Sequence, residues 1–186
     1  QSLDRLVTDE AEIAHVGRGP LQFGTRRAVT VDDEADVRAS PGRLDDGRLD
    51  FVMTSYQGEL PVLYRNLGGG LLEDVTESSG AGKGTFPYVN WGTGLVDFDN
   101  DGFLDVLVAN GNAHHLYTEE DVLARNDGTG RFVDVATTAG DYFHQKYVGR
   151  GVAFADIDND GDIDVAIANL DERTRLLRND TVNDNS

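Results

Sequence analysis

Two nine-residue stretches, "DFDNDGFLD" at 97–105 and "DIDNDGDID" at 156–164, place aspartates at positions 1, 3, 5 and 9 around a glycine at position 6. Oxygen donors at that spacing can converge on one centre. The glycine lets the chain turn back on itself, and the carbonyl at position 7 adds a further donor. Hard, partly anionic oxygen ligands suit Ca²⁺ at roughly 2.3–2.6 Å. The first loop would use Asp97, Asp99, Asp101, Asp105 and the Phe103 carbonyl; the second would use Asp156, Asp158, Asp160, Asp164 and the Asp162 carbonyl. Mg²⁺ prefers fewer carboxylates and keeps its waters, while Zn²⁺ wants His or Cys, which neither loop contains.

The competing reading is a solvated acidic turn, since Asp, Asn and Gly are ordinary turn formers. Charge weighs against it. Carboxylates about 5 Å apart repel by roughly 1–3 kcal/mol per pair, and a turn needs one or two aspartates rather than four at fixed spacing, twice. An EF-hand is excluded, because its twelfth position needs a bidentate Glu and here holds Val108 or Ile167. The same register runs through "GRLDDGRLD" at 42–50, which keeps Asp46, Gly47 and Asp50 but has Gly42 and Leu44 where ligands belong. That loop reads as degenerate, with Arg43 and Arg48 nearby; rebuilding a site from "VDDEAD" at 31–36 is the less favoured reading.

Aligning the loops sets Gly47, Gly102 and Gly161 in register, 55 and 59 residues apart, and other landmarks repeat with them. "LYRNLGGGLLEDVTESSG" (63–80) matches "LARNDGTGRFVDVATTAG" (123–140), "LLRND" (176–180) opens a third copy, "GTG" (92–94) matches "GRG" (149–151), and "DVLVAN" (105–110) matches "DVAIAN" (164–169). The elements that must hold the loops read as β-strands. The apolar runs of about five residues are too short for helices and end in turn residues. The Asn-Asp-Gly and Gly-Gly-Gly segments suit hairpin turns. "HHLYTEEDVLA" (114–124) makes a poor helical stripe and reads as a loop with one turn.

Four short strands per 55–60 residues is the arithmetic of a propeller blade, with the acidic loop between strands 1 and 2. The expected fold is therefore all-β: a partial β-propeller of about three four-stranded antiparallel blades with calcium-binding hairpin loops. One repeat domain would span 1–186. Within it, 4–25 would be strand 4 of a preceding blade plus a loop, 26–80 a first repeat with the degenerate loop, and 87–139 a second repeat. An incomplete third repeat would follow at 148–180, with a tail at 181–186.

With 34 acids against 16 bases, net charge −18, nucleic acid and anionic membrane surfaces are poor partners. No apolar run approaches the roughly 18–20 residues of a membrane span, so no membrane insertion is expected. The absence of cysteine excludes disulfides and thiolate metal sites. No secretory leader opens the chain, which implies one removed or lying outside this sequence.

These residues resemble the FG-GAP/VCBS repeat family, whose calcium-bearing blades also occur in integrin α-subunit propellers. "WGTGLVDFDNDGFLDVLVANG" (91–111) and "VGRGVAFADIDNDGDIDVAIANLDERTRLLRND" (148–180) are most similar to the ASPIC/UnbV group, which includes the cartilage acidic proteins. The resemblance covers about 50–180. It implies a secreted, cell-surface or periplasmic β-propeller whose two Ca²⁺ ions stiffen the blade loops. The chain lacks the family's upstream blades and stops where the C-terminal ASPIC domain would begin. It is thus expected to be either a fragment or a subunit that completes its ring with other copies.

Other residues carry little chemistry. His114 and His115 are adjacent and lack a third ligand nearby, while His15 and His144 are isolated. Phe86, Tyr88, Trp91 and Tyr142 lie in strand connections and read as packing residues. Asn179-Asp180-Thr181 is a glycosylation sequon. No G-x-S-x-G, phosphate loop or nucleophile–base pair appears, so no catalytic residue is expected. The leading expectation is a non-enzymatic extracellular interaction or adhesion module with structural calcium and an unidentified protein or glycan partner. The alternative is a self-assembling subunit, ring or filament, associating through open blade edges. A scaffold for a polysaccharide-active enzyme ranks third.

Overall fold

The computed structural model describes residues 48–114 and 117–181. Among the described residues ten strands run in chain order: β1 (Phe51–Met53), β2 (Val62–Gly68), β3 (Leu71–Asp74), β4 (Asn90–Val96), β5 (Asp105–Asn110), β6 (Val122–Asn126), β7 (Phe132–Asp134), β8 (Gly149–Ala155), β9 (Asp164–Asn169) and β10 (Arg175–Leu177). They form three antiparallel sheets, β1-β2-β3, β4-β5-β6-β7 and β8-β9-β10, each in sequence order. The described residues are all-β apart from single helical turns, as the short apolar runs require. The expected strand at 4–12, the earlier part of the first repeat, Asp46, Gly47, His15 and His115 lie outside the described residues.

β5 explains how the sheets stack. Every residue of "DVLVAN" is buried, which happens only when a strand is covered on both faces. Val106 and Val108 point into a core shared with the first sheet, alongside Leu63, Ala81, Ala124 and Phe132. Leu107 and Ala109 point the other way, into a core with Val165, Ile167 and Leu177 of the third sheet. Each fully buried Val or Leu contributes on the order of 1.5–3 kcal/mol.

Glycines set the spacing between sheets. A Cβ on Gly92 would lie 2.8 Å from the backbone nitrogen of Val152, and one on Gly94 would run into the Phe154 ring. Further along, a Cβ on Gly111 would meet the Gly149 nitrogen at 2.6 Å. The ladders also correct the register of the repeat. Asn90 pairs with Asn110 as Gly149 pairs with Asn169, and Val96 pairs with Asp105 as Ala155 pairs with Asp164. Gly92 is therefore equivalent to Gly151 and Asn90 to Gly149, so "GTG" and "GRG" stand two residues out of register. Two glycines flanking one residue recur by chance; the pairing follows from strand geometry. In this register Trp91 and Arg150 are equivalent, and they touch, with the Arg150 guanidinium 4.3 Å from the Trp91 ring. Trp91 Nε1–H donates to the Gly111 carbonyl at 2.6 Å, and Arg150 donates to the same oxygen at 3.1 Å.

Two single-turn helices, α1 (Thr76–Ser79) and α2 (Ala136–Ala139), follow β3 and β7. Asp74 and Asp134 start them by accepting from the N–H groups of Thr76 and Ala136, each at 3.0 Å. Four residues carry no 3.6-residue pattern, so "TESS" and "ATTA" give no helical signal. Residues 117–121 form no helix; Glu119 instead bridges to Tyr147. Tyr142 stacks on Tyr147 at 4.8 Å, and Tyr88 donates to Glu120 at 2.7 Å, whereas Phe86 is exposed.

Asp121 anchors the start of β6, accepting from the Asn110 N–H at 2.7 Å and from the Tyr142 hydroxyl at 2.6 Å. Burial pushes its carboxyl up from 3.8 to about 6, with both hydrogen bonds opposing. A raised folded value means the folded state holds the extra proton, so this stabilisation is full below about pH 4 and disappears as pH rises through about 6. Asp121→Asn keeps the shape and removes the titration. The stability of the native chain relative to this variant should fall by about 2 kcal/mol between pH 4 and 7, read from paired urea denaturation curves.

Candidate metal centres

Residues 97–104 connect β4 to β5, and 156–163 connect β8 to β9. Each loop turns through a residue in the left-handed region at position 4, Asn100 (φ 51°) or Asn159 (φ 60°), and through the glycine at position 6, Gly102 (φ 94°) or Gly161 (φ 96°). Asparagine and glycine adopt this conformation at low cost. The position-1 carboxylate then folds over the turn. Asp97 accepts from the N–H groups of Asp101 and Gly102 at 3.2 and 3.0 Å, and Asp156 accepts from Asp160 and Gly161 at 3.2 and 3.1 Å.

Carboxylate oxygens of Asp97, Asp99 and Asp105 come within 4.8 Å of one another, and so do those of Asp156, Asp158 and Asp164. Asp101 and Asp160 lie beside Asp99 and Asp158 without joining the converging oxygens, and each accepts from the N–H two residues on, that of Phe103 at 2.9 Å and of Asp162 at 3.0 Å. The Phe103 ring lies against the β6–β7 turn at Gly128. The Asp162 carboxylate accepts from the Asn100 amide at 2.5 Å. A cleft of about 340 Å³, bordered by Phe98, Asp99, Asp105, Arg125 and Thr181, opens beside the first loop.

The position-9 aspartates are buried and held by the backbone. Asp105 accepts from the N–H groups of Phe98 (3.1 Å) and Asn126 (2.8 Å); Asp164 accepts from those of Ile157 and Asn179, both at 2.8 Å. Asp50 occupies the same place in the first repeat, accepting from Asn66 N–H at 2.7 Å. The three asparagines Asn66, Asn126 and Asn179 are almost wholly buried. Each side-chain oxygen accepts from the N–H two residues on, in Gly68, Gly128 and Thr181. Reasoning from the sequence missed this anchor, although its signal is plain in "LYRN", "LARN" and "LLRN". The preceding arginines also follow a pattern. Arg125 reaches Asp99 at 3.7 Å and Arg178 reaches Asp158 at 3.6 Å, whereas Arg65 pairs with Glu73 at 2.8 Å in the repeat whose position 3 is Leu44. These half-exposed pairs stabilise little.

Burial pushes the Asp105 carboxyl up to about 7, the backbone N–H groups oppose this, and the charges of Asp99 and Asp101 reinforce it. Asp97 and Asp99 are raised too, first by burial and then by neighbouring negative charge. Converging, partly buried carboxylates that resist ionisation are the donor set whose charge a hard divalent cation would compensate. The residues present fit Ca²⁺ by donor chemistry.

Asn179 cannot serve as a sugar acceptor in the folded chain. It is 0% exposed, and its amide nitrogen donates to the Phe98 carbonyl at 2.7 Å. His114 and His144 are exposed and join neither carboxylate group.

A family model described as an FG-GAP-like repeat matches residues 44–108 and 97–167. The first window runs from the degenerate stretch into β5, and the second takes in both acidic loops. The chain is similar to Cartilage acidic protein 1 of Mus musculus, with 34% identity over 183 residues, 94% of this chain and 27% of that protein. It is also similar to Cartilage acidic protein 1 of Xenopus tropicalis, with 31% identity over 109 residues, 58% of this chain and 16% of that protein. The chain spans about a quarter or less of the length of these curated relatives.

Proposed function

The chain belongs to the FG-GAP-like repeat family, and from that premise we propose that it is a calcium-stabilised segment of a β-propeller, working outside the cytoplasm as a non-enzymatic interaction module. In this reading the three sheets are successive blades, with repeats at 26–80, 87–139 and 148–180. Calcium sits in the loops of the second and third. The name of the relatives, cartilage acidic protein, supports an extracellular setting for them and, through the similarity, for this chain. The partner is a protein or a glycan.

One observation carries the metal reading: three carboxylates converge in each of two equivalent loops, and in each the buried one is already fixed by two backbone N–H groups. Bound calcium would supply the positive charge that this set needs. The chain's own part is to aim the carboxylates and hold strands 1 and 2 of the blade together at the loop. Asp97, Asp99 and Asp105 would hold one ion, and Asp156, Asp158 and Asp164 the other. Asp101, Asp160 and the carbonyls of Phe103 and Asp162 would complete the shells. Calorimetric titration of the chain with Ca²⁺ should give two sites, with one lost in Asp99→Ala and the other in Asp158→Ala. A titration without binding heat or stoichiometry would overturn the reading.

A second reading, self-association through an open blade, has its own support. Ile157 is 50% exposed, while Phe98 at the equivalent position is 5% exposed and buried against the third sheet. β10 is an edge of its sheet among the described residues. A second copy or a further repeat would cover both. A strictly monomeric sedimentation profile at high concentration would count against self-association.

A further inference from the structure

We infer that the two loops form one coupled pair, so that a cation bound in either raises the affinity of the other. This rests on the calcium reading above and adds a property to it.

Two hydrogen bonds cross between the sheets at the loops. The first runs from Asn179, whose main-chain N–H holds Asp164 at 2.8 Å while its side-chain nitrogen donates to the Phe98 carbonyl at 2.7 Å. Phe98 in turn donates its own N–H to Asp105 at 3.1 Å. The buried carboxylates of the two loops are thus joined through the main chain of Phe98 and the side chain of Asn179. Asn126 and Asn66, equivalent to Asn179, direct their amide nitrogens to Leu104 and Leu49 within their own repeats, each at 3.3 Å. The crossing is therefore particular to this junction.

The second link is Asn100, at position 4 of the first loop, whose amide donates to the Asp162 carboxylate at position 7 of the second, at 2.5 Å. Asn100 holds a left-handed conformation (φ 51°) in the folded first loop, which aims its amide across the junction. Asp162 belongs to the segment whose carbonyl faces the second site in the calcium reading. A cation that orders one loop thereby places the group the other loop needs, and the ordering entropy is spent once for both sites. Coupling of this kind is reciprocal. Packing keeps the junction from slipping, because Phe98 lies in the core with Val165, Ile167 and Leu177, and its ring meets Phe154 edge-on at 6.0 Å.

The test uses the chain as it stands, with Ca²⁺ as probe and calorimetry as readout. The product of the two binding constants in the native chain is compared with the product of the single-site constants measured in Asp158→Ala and Asp99→Ala. Coupling predicts a ratio of at least about 5. Asn100→Gly keeps the backbone free to adopt the left-handed turn. It should bring the ratio towards 1 while changing each single-site constant by less than about twofold, the scatter of an uncoupled site. In the otherwise native chain the same substitution should lower the Hill coefficient towards 1, a measurement that needs neither loop disabled. Two binding events with a ratio near 1 in the native chain would overturn the coupling and leave the calcium reading intact. Absence of binding would overturn the calcium reading and the coupling with it. Asn100→Gly weakening the isolated first site as much as the pair would overturn the coupling by making Asn100 a part of its own loop only.

Discussion

Chelation of divalent cations is expected to lower the melting temperature of the chain by about 10–20 °C, and millimolar Ca²⁺ should restore it. The size follows from linkage. A ligand at a hundred times its dissociation constant stabilises the folded state by about 2.7 kcal/mol per site, so two sites contribute about 5 kcal/mol. For a chain of this length each kcal/mol moves the melting temperature by roughly 2–4 °C. The direction follows from the loops. Without a cation, the carboxylates of Asp97, Asp99 and Asp105 face one another, and burial has already raised all three. Scanning calorimetry with and without chelator measures the effect. Superimposable transitions would mean that the loops fold without a metal and that their acids are only solvated turns.

Phe98→Ala is expected to cost about 3–5 kcal/mol, the range for emptying a buried aromatic site, while Ile157→Ala should cost less than about 1 kcal/mol. The two residues occupy position 2 of the two loops, and their N–H groups make the same bond, to Asp105 and to Asp164. Alanine keeps that bond in both cases. What differs is the surroundings, since Phe98 is packed among Leu107, Leu123, Val165 and Leu177 while half of Ile157 meets solvent. Urea denaturation in the presence of chelator separates this packing from any effect of metal. Equal losses at the two positions would show that the junction between the second and third sheets is not where Phe98 acts.

Much of the fold was legible because its signals are local. The runs "VLVAN" and "VAIAN", bounded by turn residues, mark strands, and the repeated acidic nonapeptide marks hairpins at equivalent places. The three converging carboxylates of each loop were legible for the same reason, since positions 1, 3 and 9 lie within one turn and the strand after it. What stayed hidden depends on contacts between distant residues. Asn126 holds Asp105 across 21 positions; the recurrence of "LYRN", "LARN" and "LLRN" marks the asparagine, but not which distant group its N–H meets. Asp101 and Asp160 have the right residue type and spacing, and like Asp97 and Asp105 they accept from nearby N–H groups, so hydrogen bonding does not separate a ligand from a turn acid. The two-residue error in matching "GTG" to "GRG" has the same origin. The need for glycine at Gly92 comes from the backbone of Val152 in the next sheet, 60 residues away.

Trp91 and Arg150 hold equivalent positions in neighbouring repeats and stack on each other. Phe98 and Ile157, Asn90 and Gly149, and Gly94 and Ala153 likewise differ where their repeats meet. Identical repeats would be interchangeable, and any copy could take any place in the array. At the junction of the second and third sheets unlike surfaces meet, an aromatic ring with a cation and a bare glycine with a phenyl ring. The order of these two units is thus encoded in the divergence between copies, so this pair carries a sense of direction that its repetition alone would erase.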